Sequence, residues 1–308
     1  MEMRSSNDNE NREGICQVVG FQPWEHPTDF VYHYTSTGGL MGILATRKIW
    51  LTNAGFLNDA EELSYGAKRA AVLLRQRAEQ EKGEGKNGLA TEYVISTLQS
   101  VAESIERINE PDAPRFEFPY VACFSYCRDD LSQWRGYGAD GYCIAFHRES
   151  LRRWMVPEGV VPGIGSNIPM LEDISYGQDG DDVIAKQISL MVSSLYQQGA
   201  GKQGSGIETY YLIKKLVVPA LSLIKHPAFV AEREVRLYLV DTGELHFRAS
   251  PLGPVPYSQV EFNQGAIAEV MVAPGSNSAR RVRAAEEFLL NNGLHSVPVT
   301  TSAAPFVG

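Results

Sequence analysis

The sequence predicts an α+β fold, in which a central β-sheet is flanked by several helices. Two runs, VACFS and YCIAF, are apolar and rich in β-branched and aromatic residues, which is typical of buried strands. Helical patterns at residues 60–81 and 89–108 predict two long helices. Near the end of the chain, residues 268–273 and 296–300 predict strands on either side of another helix. Strands and long helices mixed along one chain indicate a sheet covered by helices.

Length and composition set the class of protein. The chain has 308 residues, of which 44% are hydrophobic, so it can bury a sizeable core. We expect a disordered or irregular tail at residues 1–28 and one elaborated domain at residues 29–308, with a helical insertion at about 60–110.

The formal net charge of -9 disfavours nucleic-acid binding through the overall field of the protein. The polar start lacks a signal-peptide core and no apolar run is long enough to span a membrane, which predicts a cytoplasmic protein without a membrane partner.

The first part of the fold is predicted as strand, helix and strand, at residues 30–34, 39–45 and 48–52. Thr35 and Ser36 are good helix N-cap residues, and one face of the helix carries Leu40, Ile43 and Leu44. His33 then stands at the end of the first strand, where its side chain either projects into a cleft or is hydrogen-bonded in the core.

The middle of the chain alternates predicted helices with irregular segments. Acidic residues at the start of the first long helix, including Glu61 and Glu62, are interpreted as capping groups that complement the helix dipole. A short helix carries Leu151 and Trp154. A surface loop is predicted at 156–182, with a brief strand near Ile174 and Tyr176. It is followed by a helix at 183–197, the linker AGKQGSG, and a helix at 207–224 that contains Pro219.

Residues 120–146 form the stretch around which the chain is organised. Between its two strands, a polar and aromatic segment, SYCRDDLSQWRGYGADG, is predicted as a loop. A connection between two core strands needs only turn residues, so this content suggests a binding surface. The alternative is that Trp134 and Tyr137 cap the core.

A second unusual stretch is KHPAFVAEREVRLYLVD. Residues 235–240 alternate as in a strand, which is entered through Glu232, Arg233 and Glu234. Carboxylates at i and i+2 of a strand point to the same face, and like charges side by side are unfavourable unless a positive group or a ligand neutralises them. The pair Glu232 and Glu234 is therefore either bridged by arginine, which the residues alone favour, or catalytic.

The four cysteines are Cys16, Cys123, Cys127 and Cys143. They are too few and too embedded in apolar runs for a disulfide framework, so we expect reduced thiols that pack as small hydrophobes. Cys123 and Cys127 have a CxxxC spacing, but no second Cys or His pair follows at the interval of a zinc finger, and no metal is expected.

Several motifs together resemble a bacterial family of uncharacterised proteins, domain of unknown function 2971. These motifs are HYTS at 33–36, IWLTNAGFLND at 49–59, CFS followed by DDLSQWRGYG at 123–138, and EREVRL at 232–237. The resemblance covers roughly residues 30–305, and the order of the motifs is its most specific feature. The family itself implies no activity.

The same order of features is more distantly similar to the ADP-ribosyltransferase fold, in its His, Tyr, Glu subgroup of DarT-like and PARP-like enzymes. This resemblance implies a split central β-sheet and NAD as the substrate. It implies that His33, Tyr34 and Thr35 bind the nicotinamide ribose and that Ser125 and Ser132 lie in the NAD site. The ring that stacks on nicotinamide is then Trp134 or Tyr137, and the catalytic carboxylate is Glu232 or Glu234, with His33 as its partner.

The chemistry implied by this resemblance explains the residue types. Cleavage of the bond between nicotinamide and ribose develops an oxocarbenium ion, which a fixed carboxylate stabilises. An aromatic face holds the departing ring, and histidine orients the ribose. The resemblance therefore implies mono-ADP-ribosyl transfer to an unknown macromolecule, either protein or nucleic acid. A toxin or phage-defence role fits it, and a neutralising partner protein is then expected.

Two other classes of function stay open. A metal-dependent hydrolase or nuclease would gather magnesium-binding carboxylates, and its candidates are Asp59, Glu61, Asp129, Asp130, Glu232 and Glu234. A non-catalytic module would instead use the central stretch to bind a nucleotide or peptide.

Overall fold

The computed structural model describes residues 29–57, 60–84, 88–110, 117–138, 141–155, 168–198, 210, 212–240 and 244–305. These residues form a mixed α/β fold with a central mixed sheet and several helices. The predicted tail at 1–28 and the predicted linker AGKQGSG lie outside the described residues.

The secondary structure follows in chain order. The strands are β1 (Phe30–Thr35), β2 (Lys48–Asn53), β3 (Tyr120–Ser125), β4 (Tyr142–His147), β5 (Met170–Asp173), β6 (Ser175–Tyr176), β7 (Ile224–Lys225), β8 (Glu234–Leu239), β9 (His246–Ser250), β10 (Gly253–Glu261), β11 (Ile267–Val272) and β12 (Val299–Thr301). The α-helices are α1 (Thr37–Thr46), α2 (Ala60–Gly83), α3 (Leu89–Glu106), α4 (Leu131–Tyr137), α5 (Arg148–Met155), α6 (Gln178–Gln198), α7 (Val218–Leu221) and α8 (Ser278–Asn291). A π-helical turn, Ile213–Val217, precedes α7, and short 3-10 helices span Ala54–Phe56, Pro227–Glu232 and Gln264–Ala266.

The main sheet has the strand order β12-β11-β4-β1-β3-β2-β10-β9, and β8 pairs with both β3 and β5. β11 and β12 are parallel, whereas the other pairs in this sheet are antiparallel. β6 and β7 form a separate parallel pair.

Strand β3 is where the sheet divides. One edge of β3 pairs with β8 from Tyr120 to Ser125. On the other edge, Tyr32 of β1 pairs with Ser125, whereas Thr52 of β2 pairs with Val121. β1 and β2 therefore share one edge of β3 and contact it at opposite ends.

The two largest hydrophobic clusters of the described residues are called here the first and second cores. The first lies between one face of the main sheet and helices α1, α5 and α8, and includes Leu44, Phe146 and Leu289. The second is formed by α2, α3, α6 and the π-helical turn with α7, and includes Leu74 and Leu98. The predicted helical insertion thus shares its core with helices from later in the chain.

Local signals predicted the early elements correctly. Ser36 is the N-cap of α1 and accepts a hydrogen bond from the backbone N–H of Gly39, and Leu40, Ile43 and Leu44 are buried. The predicted boundaries of β1 and β2 each differ from the observed ones by one residue. These elements could be predicted because capping and periodicity act over a few neighbouring residues.

Other predictions were wrong. The central segment is not a loop, because Asp130 caps α4 by accepting from the N–H groups of Ser132 and Gln133. The described part of the 156–182 loop contains β5 and the start of α6, which were not predicted, whereas β6 confirms the brief strand predicted near Ile174 and Tyr176. The helix predicted to reach residue 224 ends at Leu221, and the β9–β10 hairpin was not predicted at all.

In the residues that the structure describes, we find no helix that combines the length and the apolar character of a membrane span.

Candidate functional site

A cluster of charged side chains lies at the start of β8. Lys225 Nζ forms ion pairs with the carboxylates of Glu232 and Glu234, the second at 2.8 Å. Arg236 Nε lies 2.5 Å from Glu234 Oε1, and the guanidinium also binds Glu62 through Nη2. Three carboxylates and two cations therefore form one connected network, which we call the charge cluster.

The local fold explains how the charge cluster forms. Glu234 and Arg236 are two apart on β8, so both side chains point to the same face of the strand. The prediction that Glu232 shares that strand was wrong, because Glu232 ends a 3-10 helix and Arg233 has a left-handed φ of 48°. Glu232 nevertheless reaches the cluster, through Lys225.

Burial and pairing together set the protonation of the charge cluster. Burial raises the pKa of Glu234, but the positive charges of Arg236 and Lys225 outweigh it and hold that pKa at about 2. Burial lowers the pKa of Lys225, yet the carboxylates of Glu234 and Glu62 outweigh it and raise that pKa. Burial raises the pKa of Glu62, against the opposing effect of Arg236. With all five groups ionised, the cluster carries one negative charge in excess.

Two exposed aromatic rings lie beside the charge cluster. Tyr137, at the end of α4, is 45% exposed, and burial of its hydroxyl with the negative charge of Glu232 raises its pKa to about 12. Lys225 Nζ lies 5.3 Å from the ring centroid of Phe229, within the range of a cation–π contact. The structure therefore brings the Tyr137 hydroxyl, from the central stretch, within electrostatic reach of both glutamates of the second stretch.

Ser125 supports the cluster from β3. Its side chain is buried, and its hydroxyl donates to the backbone carbonyl of Glu232 at 2.7 Å. The same oxygen accepts from the N–H of Cys127 at 2.9 Å. Ser125 therefore fixes the backbone that carries Glu232.

Trp134 and Ser132 hold α4 in place. Trp134 is only 2% exposed and packs edge-on against Tyr34, at 4.8 Å between ring centroids. Its indole Nε1 donates to Asp129 at 2.8 Å. The hydroxyl of Ser132 donates to Asp130, the N-cap of the helix. Of the two rings in the prediction, Tyr137 is the one with an accessible face.

His33 lies on the other face of the sheet. It pairs in register with Ile144, and its ring centroid is 5.3 Å from that of Phe124, so it faces the first core. Its Nδ1 lies 2.9 Å from the carbonyl oxygen of Cys123, in the gap between β1 and β2, and must be the donor. Burial lowers the pKa of His33, which keeps the ring neutral at pH 7. The structure does not bring His33 and Glu234 to one face.

The other two candidates on β1 have local partners. The hydroxyl of Tyr34 donates to the carbonyl of Cys127 at 2.7 Å and accepts from the N–H of Asp130 at 3.1 Å. Thr35 ends β1, packed closely against Gly39 of α1. Tyr34 therefore connects β1 to the segment that leads into α4.

The carboxylates of the metal-dependent alternative do not meet at one place. Asp129 accepts hydrogen bonds from Trp134 and from the segment after β12. Asp130 caps α4. Glu232 and Glu234 both pair with Lys225. Asp59 lies outside the described residues. Within the described ranges, no group of three or more His, Cys, Asp or Glu side chains is arranged to hold a metal ion.

Sequence reasoning missed part of the cluster. An arginine bridge to Glu234 is confirmed by Arg236, but Glu232 is paired with Lys225 instead. Glu62 was interpreted only as a helix cap, whereas it is 7% exposed and binds Arg236. The alternation of β8 places Arg236 beside Glu234, but no local pattern predicts that α2 supplies the third carboxylate.

Comparison with known proteins supports the family resemblance over part of the chain. Residues 133–237 match a family whose description is "Protein of unknown function (DUF2971)". The match includes Tyr137, Lys225, Glu232 and Glu234, whereas Glu62 and Ser125 precede it. No curated protein and no solved structure matches the chain.

Proposed function

We propose that the protein transfers ADP-ribose from NAD to a macromolecular acceptor, with the reaction centred on Tyr137 and Glu232. The observation that carries this proposal is that an exposed aromatic residue, Tyr137, lies within electrostatic reach of the partly exposed carboxylate of Glu232, which is paired with Lys225. The more distant resemblance to ADP-ribosyltransferases supports the same reaction.

The charge of the site suits this substrate. The nicotinamide ring of NAD is a cationic pyridinium, and an aromatic face attracts such a cation. The ring leaves as neutral nicotinamide and takes the bonding electron pair, so positive charge moves to the ribose as an oxocarbenium ion. The carboxylate of Glu232 then stabilises that ion electrostatically. An acceptor oxygen or nitrogen then bonds to the ribose carbon and loses its proton.

The exposure of each glutamate separates their roles in this proposal. The side chain of Glu232 is 22% exposed, whereas that of Glu234 is 7% exposed and paired with both cations. Glu232 is therefore the carboxylate that faces the ribose, and Glu234 positions Lys225 and Arg236. His33 faces the first core, so the proposal gives it no role in the reaction.

The test is release of nicotinamide and transfer of label from labelled NAD, measured with cell extract as the source of acceptor. Glu232→Gln keeps the size of the side chain but removes its charge, so we expect kcat to fall about 100-fold to 1000-fold. Tyr137→Ala should raise KM about tenfold, whereas Tyr137→Phe, which keeps the ring, should change it little.

The control is Glu287→Gln, because the Glu287 side chain is 75% exposed on α8. It should leave kcat and KM unchanged. Activity that survives EDTA would exclude the metal-dependent alternative. Absence of NAD consumption with every extract, together with no thermal shift on adding NAD, would refute the proposal.

A second candidate is a non-catalytic binding module. It is favoured by the pairing of both glutamates with cations, which leaves Tyr137 and Phe229 as the exposed groups of the site. In that case NAD or a related nucleotide would shift the melting temperature without releasing nicotinamide. Tyr137→Ala would abolish this shift, and Glu232→Gln would retain it.

If the transfer reaction is confirmed, a toxin or phage-defence role with a neutralising partner protein is the biological setting that we propose. Co-purification of a partner that suppresses nicotinamide release would support it.

A further inference from the structure

The segment after β12 binds the carboxylate of Asp129, which lies just before α4. Asp129 accepts hydrogen bonds from the hydroxyl of Ser302 and, at 2.6 Å, from the N–H of Ala303. Its Oδ1 also accepts from Trp134 Nε1 at 2.8 Å. One side chain thus joins the segment at residues 302–305 to the ring at the centre of α4.

The backbone and the charge of Asp129 both bear on this contact. Asp129 has a φ of 58°, a left-handed conformation that non-glycine residues rarely adopt. Burial raises the pKa of Asp129, but its hydrogen bonds with Ser302 and Trp134 outweigh this effect and lower it. The carboxylate is therefore ionised at pH 7, when it is the stronger acceptor.

Trp134 connects this carboxylate to the end of α4. A Cβ on Gly138 would lie 2.7 Å from Trp134 Cε3, so the backbone next to Tyr137 packs directly on the indole ring. The N–H of Gly138 also donates to the carbonyls of Gln133 and Trp134. The buried indole therefore packs against the backbone residue that follows Tyr137.

We infer that the segment at residues 302–305 controls the position of Tyr137, with Ser302 and Asp129 as positioning residues of the site. This inference rests on the proposed function for its effect on NAD, because Tyr137 is the ring assigned there to nicotinamide. The control acts through Asp129 and Trp134, which connect the segment to α4.

The test uses the full chain with Ser302→Ala, which removes one donor to Asp129. Ser302→Thr, which keeps the hydroxyl, is the rescue variant. Thr301→Ala is the matched control, because Thr301 is the exposed neighbour at the end of β12. Hydrogen exchange of the amides of α4, measured without NAD, reports the helix itself, and steady-state nicotinamide release reports the site.

We expect Ser302→Ala to speed exchange in α4 about tenfold and to raise KM for NAD by a similar factor, with kcat nearly unchanged. Ser302→Thr and Thr301→Ala should match the wild type in both measurements. Unchanged exchange in Ser302→Ala would overturn the inference, and so would faster exchange with an unchanged KM. Faster exchange in a protein that consumes no NAD would refute the proposed function while supporting control of α4 by the segment.

Discussion

Replacing Arg236 by methionine tests the charge cluster most directly. Arg236 is 2% exposed, and its guanidinium contacts Glu234, Glu62 and the carbonyl of Ser222, the last at 2.6 Å. Methionine fills similar space but leaves two buried carboxylates with Lys225 as their remaining cation.

The expected magnitude follows from this loss of pairing. Removing one partner of a buried ion pair costs about 3–5 kcal/mol, mainly because the other charge is left uncompensated. Total stability of a folded domain is about 5–15 kcal/mol, so Arg236→Met should lose a large part of it. Arg153→Met is the control, because the Arg153 side chain is 78% exposed and its pair with Glu149 should contribute less than about 1 kcal/mol.

The assay is urea denaturation followed by circular dichroism, at pH 7 and fixed ionic strength. The double variant Glu234→Gln with Arg236→Met removes one of the stranded charges, so it should cost less than the sum of the two single variants. A loss below about 1 kcal/mol in Arg236→Met would refute the reasoning, as would strict additivity in the double variant.

Three further predictions concern acid stability, packing at α4 and the state of His33. The pKa of Glu234 is lowered from 4.5 to about 2, so its ionisation contributes about 3 kcal/mol to the free energy of unfolding. This contribution is complete above pH 4.5 and is lost as the pH falls through 2. Acid titration should show the loss, and Glu234→Gln should abolish it. Gly138→Ala should lower the free energy of unfolding by about 1–3 kcal/mol, because the new Cβ would lie too close to Trp134. Gly136→Ala is the control: its Cβ would have nothing within 4 Å, so it should be neutral or stabilising in thermal denaturation. Equal effects of the two substitutions would contradict this packing. Burial lowers the pKa of His33, so its ring should titrate below 6.5 when followed by NMR. The unfolded chain then binds a proton more readily than the folded protein, so the free energy of unfolding should fall as the pH drops below 6.5. An unshifted titration would contradict the burial of His33.

Much of the fold could be predicted because its signals are local. The apolar runs of β3 and β4 and the Ser36 cap of α1 depend on residues a few positions apart, and the structure agrees with them. The α4 helix was missed although Asp130 is a strong capping residue, because its aromatic and polar content was interpreted as a binding loop.

The candidate site was predicted only in its parts. The sequence singled out the central stretch and the two glutamates, and the structure brings the Tyr137 hydroxyl within electrostatic reach of Glu232. It could not show that Trp134 is buried and Tyr137 accessible, because both belong to the same short helix and only packing against Tyr34 distinguishes them.

By itself, the sequence determined whether most elements are helices or strands, because propensity, capping and periodicity act between neighbours along the chain. It also showed which stretches are rich in polar, charged and aromatic side chains. Only the tertiary structure decided which charged side chains form ion pairs. Glu62 and Arg236 lie far apart in sequence, and their pairing depends on how α2 packs beside β8. The sheet register likewise decided that His33 and Glu234 face opposite sides, because strand pairing, which is non-local, fixes the face of every side chain.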